Sequence, residues 1–118
     1  MHITKEQFGG VKHLIEERFG DSLEEEVVPH IRYDQKTGQS MQNGEIHVYQ
    51  FKNKGKTFKL EIVEKEKMSE HEKTKDGKVV GRSFENVAGE FTYAMELYVN
   101  QDGSWQLVDL DVGDILSM

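Results

Sequence analysis

A chain of 118 residues, 36% hydrophobic and 31% charged, is long enough for one hydrophobic core, and we expect residues 1–118 to form a single domain. Its net charge of −7, with basic residues interleaved among acids, excludes nucleic acid as a favoured partner. Without cysteine, an apolar N-terminal segment or an apolar run that could span a membrane, the sequence predicts a cytoplasmic protein with no disulfide and no membrane partner.

The N-terminal segment has the pattern of an amphipathic helix. Thr4 and Gln7 have the spacing of a capping box, in which each side chain bonds the other residue's backbone amide. Apolar residues then recur at three- and four-residue intervals, at Phe8, Val11, Ile15 and Phe19. We therefore predict a helix over 5–19, ended by Gly20 in the left-handed conformation. Gly9-Gly10 weakens this helix and would permit close approach to a strand.

The middle of the chain reads as strands. Residues 21–26 fit either a short second helix or the start of a strand. In 27–33, Pro29 cannot donate a hydrogen bond, so a strand there lies at a sheet edge or carries a bulge. Segments 45–51 and 57–63 alternate around an Asn/Gly/Lys turn, which predicts a hairpin.

The C-terminal half is predicted from turn signals and alternation. Residues 64–78 are polar without an apolar stripe, so we favour a solvated continuation of the strand that turns at 75–78. Residues 83–89 read as a connection. A last hairpin runs from 90 to about 112, with strict alternation before a turn at 100–103.

These elements predict an α+β fold, with the N-terminal helix packed on a curled antiparallel sheet of four to five strands. The layout of a helix followed by an antiparallel meander resembles the cystatin-like and NTF2-like folds. The resemblance covers the order of the elements and rests on no sequence motif. Because this layout hosts unrelated functions, it implies a fold class and no particular activity.

One helix, about 10–12 Å thick, is too narrow to cover both faces of such a sheet. The uncovered face would carry some of a set of apolar and aromatic residues: His47, Tyr49, Phe51, Val63, Ala94 and Tyr98. Trp105 and Leu107 join that face in one register of the last hairpin and lie inside in the other. A large apolar patch on a soluble protein predicts a partner, and a two-fold homodimer is the commonest solution. Alternatively, polar neighbours divide the patch and the chain is a monomer.

The favoured function is a non-enzymatic binding or assembly module that self-associates through one sheet face. His47, Tyr49, Phe51 and Tyr98 are the candidate ligand- or partner-binding residues, and another protein or a small apolar ligand is a further candidate partner. No cofactor motif and no close pair of histidine ligands is present, so no metal or cofactor is expected.

The alternative is a small-molecule-binding or isomerase-like enzyme with a pocket between helix and sheet. His47, oriented by Glu61 or Glu96 on a neighbouring strand, would be its general base. Asp109 is a second candidate for proton transfer. Asp109 and Asp111 share a strand face, and we favour the solvent-exposed side of an edge strand as their explanation; the alternative is that the pair binds a hard cation or shares a proton.

Overall fold

A computed structural model describes residues 1–33, 38–109 and 114, with the side chains of 70, 82–86 and 88 excepted. These residues form the predicted α+β fold, with one helix and an antiparallel sheet of six strands, where four to five were predicted. In chain order the elements are β1 (His2–Ile3), α1 (Lys5–Phe19), β2 (Glu24–Tyr33), β3 (Ser40–Asn53), β4 (Lys56–Lys75), β5 (Lys78–Gln101) and β6 (Ser104–Val108).

The sheet is a meander with a shared edge. The strand order is β1-β5-β4-β3-β2, and β6 pairs with the same strand, β5, as β1 does. The short β1 pairs at Tyr93 and Ala94, and β6 pairs further along β5, from Leu97 to Gln101. β2 is the opposite edge, which is where a strand containing Pro29 belongs.

The helix has the predicted bounds and the predicted start. The Thr4 amide donates to the Gln7 Oε1 at 2.8 Å, and the Gln7 amide donates to the Thr4 Oγ1 at 3.1 Å. Gly20 is right-handed, with φ −52°, so the predicted left-handed cap is wrong. The Ser22 and Leu23 amides instead bond the carbonyls of Phe19 and Gly20. Nowhere in the described residues does a helix combine the length and apolarity needed to cross a membrane.

Tight two-residue turns join three of the pairs of consecutive antiparallel strands, β3–β4, β4–β5 and β5–β6. Both central residues have positive φ at Lys54-Gly55, Asp76-Gly77 and Asp102-Gly103. This is the type I′ geometry, whose twist matches that of the flanking strands. All three turns lie where the sequence predicted them.

The hairpin of β4 and β5 is far longer than its neighbours. Residues 64–78 continue β4 and turn into β5 as predicted, whereas 83–89, predicted to be a connection, lie inside β5. The register shifts beyond Glu66, and the ladder then continues from Met68–Asn86 to Lys75–Lys78. Backbone pairing holds this extension together without an apolar pattern. We call residues 68–86 the arm; its residues 71–80 are all exposed.

The arm makes the molecule elongated. Its principal extents are 63 × 29 × 22 Å and its radius of gyration is 18.2 Å, against roughly 13–14 Å for a compact domain of this length. The core lies at the other end, where α1 packs on one face of the sheet. Phe19 stacks on Phe51 with ring centroids 4.5 Å apart, and Val11 and Ile15 are almost fully buried against β3, β4 and β5.

Candidate functional site

The sheet face turned away from α1 carries a continuous apolar row. Strand register places Val28 opposite Ile46, Ile46 opposite Val63, and Val63 opposite Ala94. The row therefore crosses β2, β3, β4 and β5 at right angles to the strands. Its members are half-buried apart from Val28, which is 37% exposed. We call this surface the open face and these four residues the apolar row.

An acidic row runs beside the apolar row, two residues away along each strand. Register aligns Glu26, Val48, Glu61 and Glu96 across the same four strands. Glu61 lies 3.5 Å from the Lys59 ammonium, and Glu96 accepts a hydrogen bond from the Tyr98 hydroxyl. Three carboxylates on one line give this side of the open face a negative potential.

A basic row lies on the other side of the apolar row, again two residues away. Register aligns His30, Gly44, Lys65 and Thr92. Beyond them, Arg32 and Lys67 join His30 and Lys65 around a cavity of about 430 Å³, whose wall also contains the carboxylate Glu66. The open face thus changes sign across the apolar row.

A bulge in β3 fixes His30 in the basic row. Gly44 pairs with His30, but Gln42 pairs with Ile31, so Asn43 is the extra residue. Asn43 is buried, and its Oδ1 lies 2.6 Å from the His30 Nδ1. This hydrogen bond orients the ring at the wall of the cavity.

An aromatic corner closes the acidic end of the open face. Trp105 pairs with Asn100 and Leu107 with Tyr98, so both side chains lie on the open face and not in the core. The Lys59 ammonium lies 5.1 Å from the Tyr98 ring and 4.7 Å from the Trp105 ring, within cation–π range. The hydrogen bond to Glu96, with burial, raises the pKa of Tyr98 to about 12.

The four predicted binding residues divide between the two faces. Tyr98 lies on the open face, whereas His47, Tyr49 and Phe51 lie under α1. Tyr49 is 3% exposed and Phe51 1%, so they are core residues and the folded chain does not present them to a partner. Both faces of β3 are apolar, and the pattern predicted the wrong one for these residues.

His47 lies in a second cluster, on the helix-covered face. Glu45 is directly opposite Glu64, and His47 is two residues further along β3 on the same side. The His47 Nε2 lies 3.8 Å from a Glu45 oxygen and 3.9 Å from a Glu64 oxygen. It is buried and has no hydrogen-bond partner among the described residues. We call Glu45, His47 and Glu64 the Glu–His–Glu cluster.

Aromatic rings pack beside the Glu–His–Glu cluster. Phe8 packs on the His47 ring with centroids 5.1 Å apart and on the Tyr93 ring with centroids 5.3 Å apart. Burial, together with a hydrogen bond from Tyr93 to Glu64 and the Glu64 charge, raises the pKa of Tyr93 to about 12. A cavity of about 380 Å³ opens beside the cluster, with Glu45, Glu64, Glu66 and Phe91 in its wall.

Sequence reasoning singled out His47 but placed the wrong acids beside it. Glu61 and Glu96 lie on the open face, so neither orients His47. Glu45 and Glu64 were missed because they are distant in sequence and meet only through the register of β3 with β4. Asp109 is exposed, and Asp111 lies outside the described residues.

The chain thus presents two arrangements on opposite sides of one sheet: a charge-banded open face, and the Glu–His–Glu cluster beside the N-terminal half of α1. The first offers a surface to a macromolecule and the second offers three ligand atoms to an ion. No protein-family model, no curated protein and no solved structure matches the chain.

Proposed function

We propose that the chain is a non-enzymatic assembly module that forms a two-fold homodimer through its open face. The observation that carries this proposal is the order of the three rows, acidic, apolar and basic, across the same four strands. Apolar surface supplies the attraction, and the charge bands determine how a second copy is oriented.

The banding makes the face complementary to itself. Consider a two-fold axis that lies between two stacked sheets and runs along the apolar row. This axis reverses the strand direction, so the acidic row of each copy lies over the basic row of the other. On β4, Glu61 of one copy then lies over Lys65 of its partner, and the contact occurs twice because the interface is isologous.

Other orientations are less favourable. An axis parallel to the strands leaves the acidic row over the acidic row and the basic row over the basic row; where this axis passes over β4, Glu61 would face Glu61 and Lys65 would face Lys65. Like charges placed opposite each other across an interface oppose association. The rows therefore favour one geometry over the other, in addition to providing an apolar contact.

An enzyme with a pocket between helix and sheet, the alternative function, has less support. Val11 and Ile15 on α1 and Leu60 and Ile62 on β4 have exposed fractions of 0–1%, and these side chains fill the space between the two layers. The cavity beside Glu45 and Glu64 is lined by sheet residues alone.

The proposal also includes three predictions from the sequence: location in the cytoplasm, a single domain, and a curled sheet of the cystatin-like or NTF2-like kind.

Substitution of Val63 by Lys tests the proposed dimer. Val63 is in the middle of the apolar row, so a lysine there would place one positive charge from each copy at the symmetry axis of the dimer. We expect Val63→Lys to be a folded monomer by light scattering coupled to size exclusion, at concentrations where the unsubstituted chain is a dimer. The matched control is Val79→Lys, since Val79 is 50% exposed on the arm; it should remain dimeric. A dimeric Val63→Lys variant, or an unsubstituted chain that is monomeric throughout, overturns the proposal.

A further inference from the structure

We propose that the Glu–His–Glu cluster binds one divalent transition-metal ion, of which Zn²⁺ is the representative. This site is independent of the open face, because Glu45, His47 and Glu64 lie on the helix-covered side of the sheet. Its three ligand atoms, one nitrogen and two oxygens, lie within 4.8 Å of one another.

The positions of Glu45 and Glu64 call for a cation. The two residues are directly opposite each other on paired strands and point to the same side. Like charges in this arrangement destabilise a sheet unless something positive lies between them. Two carboxylates and a neutral imidazole carry a charge of −2, which a divalent ion neutralises.

The His47 nitrogen is an independent indication of a ligand. A buried polar atom without a hydrogen bond is costly, yet the Nε2 of His47 has none among the described residues. Its separations of 3.8 and 3.9 Å from the carboxylate oxygens are too long for hydrogen bonds. They are close to the spacing of about 3.4 Å that two ligand atoms have around a tetrahedral zinc ion.

The surroundings match those of a metal site. Tyr93 donates a hydrogen bond to Glu64, which orients that carboxylate in the way that outer partners orient metal ligands. Phe8 covers the His47 ring and restricts its rotation. The cavity of about 380 Å³ gives an ion access to Glu45 and Glu64 and leaves room for water at the remaining coordination position.

The ligand set indicates the class of ion. Mg²⁺ and Ca²⁺ prefer oxygen ligands alone, whereas an imidazole nitrogen beside carboxylates suits Zn²⁺ and its transition-metal neighbours. The neutral imidazole coordinates through the Nε2, the atom that faces both carboxylates. We therefore expect Zn²⁺ to bind and Mg²⁺ not to compete with it.

The test is zinc titration of tag-free, chelator-treated chain at about pH 7.5, since metal affinity depends on pH through the protons of the ligands. Calorimetry should show one Zn²⁺ bound per chain. Glu64→Gln and Glu45→Gln should each weaken binding at least tenfold, in keeping with the loss of one ligand. The matched control is Glu17→Gln: Glu17 lies 3.4 Å from His13 in an exposed pair on α1, and its loss should leave the affinity unchanged.

A measurement on the unsubstituted chain gives a result that does not depend on whether the variants fold. Long-range ¹H–¹⁵N correlation of the imidazoles should show the His47 Nε2 resonance move on addition of one equivalent of Zn²⁺. The proposal is overturned if this resonance does not move, or if folded Glu64→Gln binds Zn²⁺ as tightly as the unsubstituted chain. It is also overturned if His47 is held as a protonated ring between the two carboxylates and takes up no zinc. The titration repeated on Val63→Lys separates this result from the proposed dimer.

Discussion

Glu61 and Lys65 lie on one strand and one face, with Val63 midway between them. Acid, apolar residue and base therefore follow one another along β4, and register extends the same order to the neighbouring strands. The proposed dimer depends on this order, because a second copy turned end for end would match apolar to apolar and acid to base at once.

Exchange of the two charges tests the orientation of the dimer. Glu61→Lys should weaken association by on the order of tenfold or more, because two like-charge contacts replace two ion pairs. Lys65→Glu should do the same. The double variant Glu61→Lys/Lys65→Glu restores opposite charges across the axis, and its dissociation constant should return towards that of the unsubstituted chain in sedimentation equilibrium.

The control for this exchange is Glu16→Lys, which makes the same charge change on the exposed side of α1. It should leave the dissociation constant unchanged. A double variant as weak as the single ones would show that Glu61 and Lys65 do not meet across an interface.

Replacement of Tyr98 by Lys tests the aromatic corner. Tyr98 lies on the open face, where its ring contacts Lys59 and its hydroxyl bonds Glu96. We expect Tyr98→Lys to weaken association without unfolding the chain, as judged by light scattering and by the circular dichroism spectrum. An unfolded variant would mean that Tyr98 is required for the core, which would contradict its position on the sheet face turned away from α1.

Two glycine substitutions should have opposite effects on stability. A Cβ at Gly44 would lie 1.9 Å from the Glu64 carbonyl oxygen, so Gly44→Ala forces β3 and β4 apart. We expect a loss of about 2 kcal/mol or more in the free energy of unfolding. A Cβ at Gly10 meets nothing within 4 Å, and Gly10→Ala should stabilise α1 by about 0.5–1 kcal/mol. Urea unfolding measures both, and a neutral Gly44→Ala would contradict the close approach of the strands.

Buried tyrosines should make stability fall at high pH. Burial is the largest cause that raises the pKa values of Tyr49 and Tyr93 from the ordinary 10.0 to about 12. Between these values the unfolded chain loses phenol protons that the folded chain retains. The free energy of unfolding contributed by these groups is therefore fully present below about pH 10 and is lost as the pH rises through about 12.

Urea unfolding at several pH values between about 8 and 11.5 measures this fall. Tyr93→Phe removes one of the three tyrosines with a raised pKa, Tyr49, Tyr93 and Tyr98, and should reduce the slope. Tyr33→Phe is the control, because Tyr33 is exposed and its loss should leave the slope unchanged. Equal slopes in Tyr93→Phe and the unsubstituted chain would contradict the role given to Tyr93.

Shortening the arm should cost little stability. His71 pairs with Ser83, so residues 72–82 can be replaced by an Asp-Gly turn that joins the paired ends. Residues 71–80 are exposed and bury little apolar surface. We expect a change within about 1 kcal/mol in the free energy of unfolding by urea and no change in self-association. A variant that fails to fold, or that becomes monomeric, would place the arm in the core or in the interface.

Local chemistry explains which parts of the fold were predictable from the sequence. The capping pair Thr4 and Gln7 and the Asp-Gly turns act over two to four residues, and their structures are as predicted. The sheet face on which Tyr49 lies was not predictable, because both sides of β3 are apolar and only packing against α1 distinguishes them. The length of β5 was not predicted because the pairing of β4 with β5 is irregular at this point. Between the pairs Glu66–Phe91 and Met68–Asn86 there is one residue on β4, Lys67, and four on β5, residues 87–90.

The same limit applies to the candidate sites. Alternation separated the two sides of each strand but did not identify which side of β3 is the open face. The acidic, apolar and basic rows exist only once the register of four strands is known. Glu45 and Glu64 likewise become neighbours through the β3–β4 register, which no local pattern specifies. Sequence reasoning therefore found single side chains, and their groupings required the structure.

The mass of the unsubstituted chain in solution tests the central proposal most directly. Sedimentation equilibrium over about 1–100 µM should give a particle of twice the 13.6 kDa chain mass at the upper end of this range. A constant mass of 13.6 kDa at every concentration would contradict self-association through the open face.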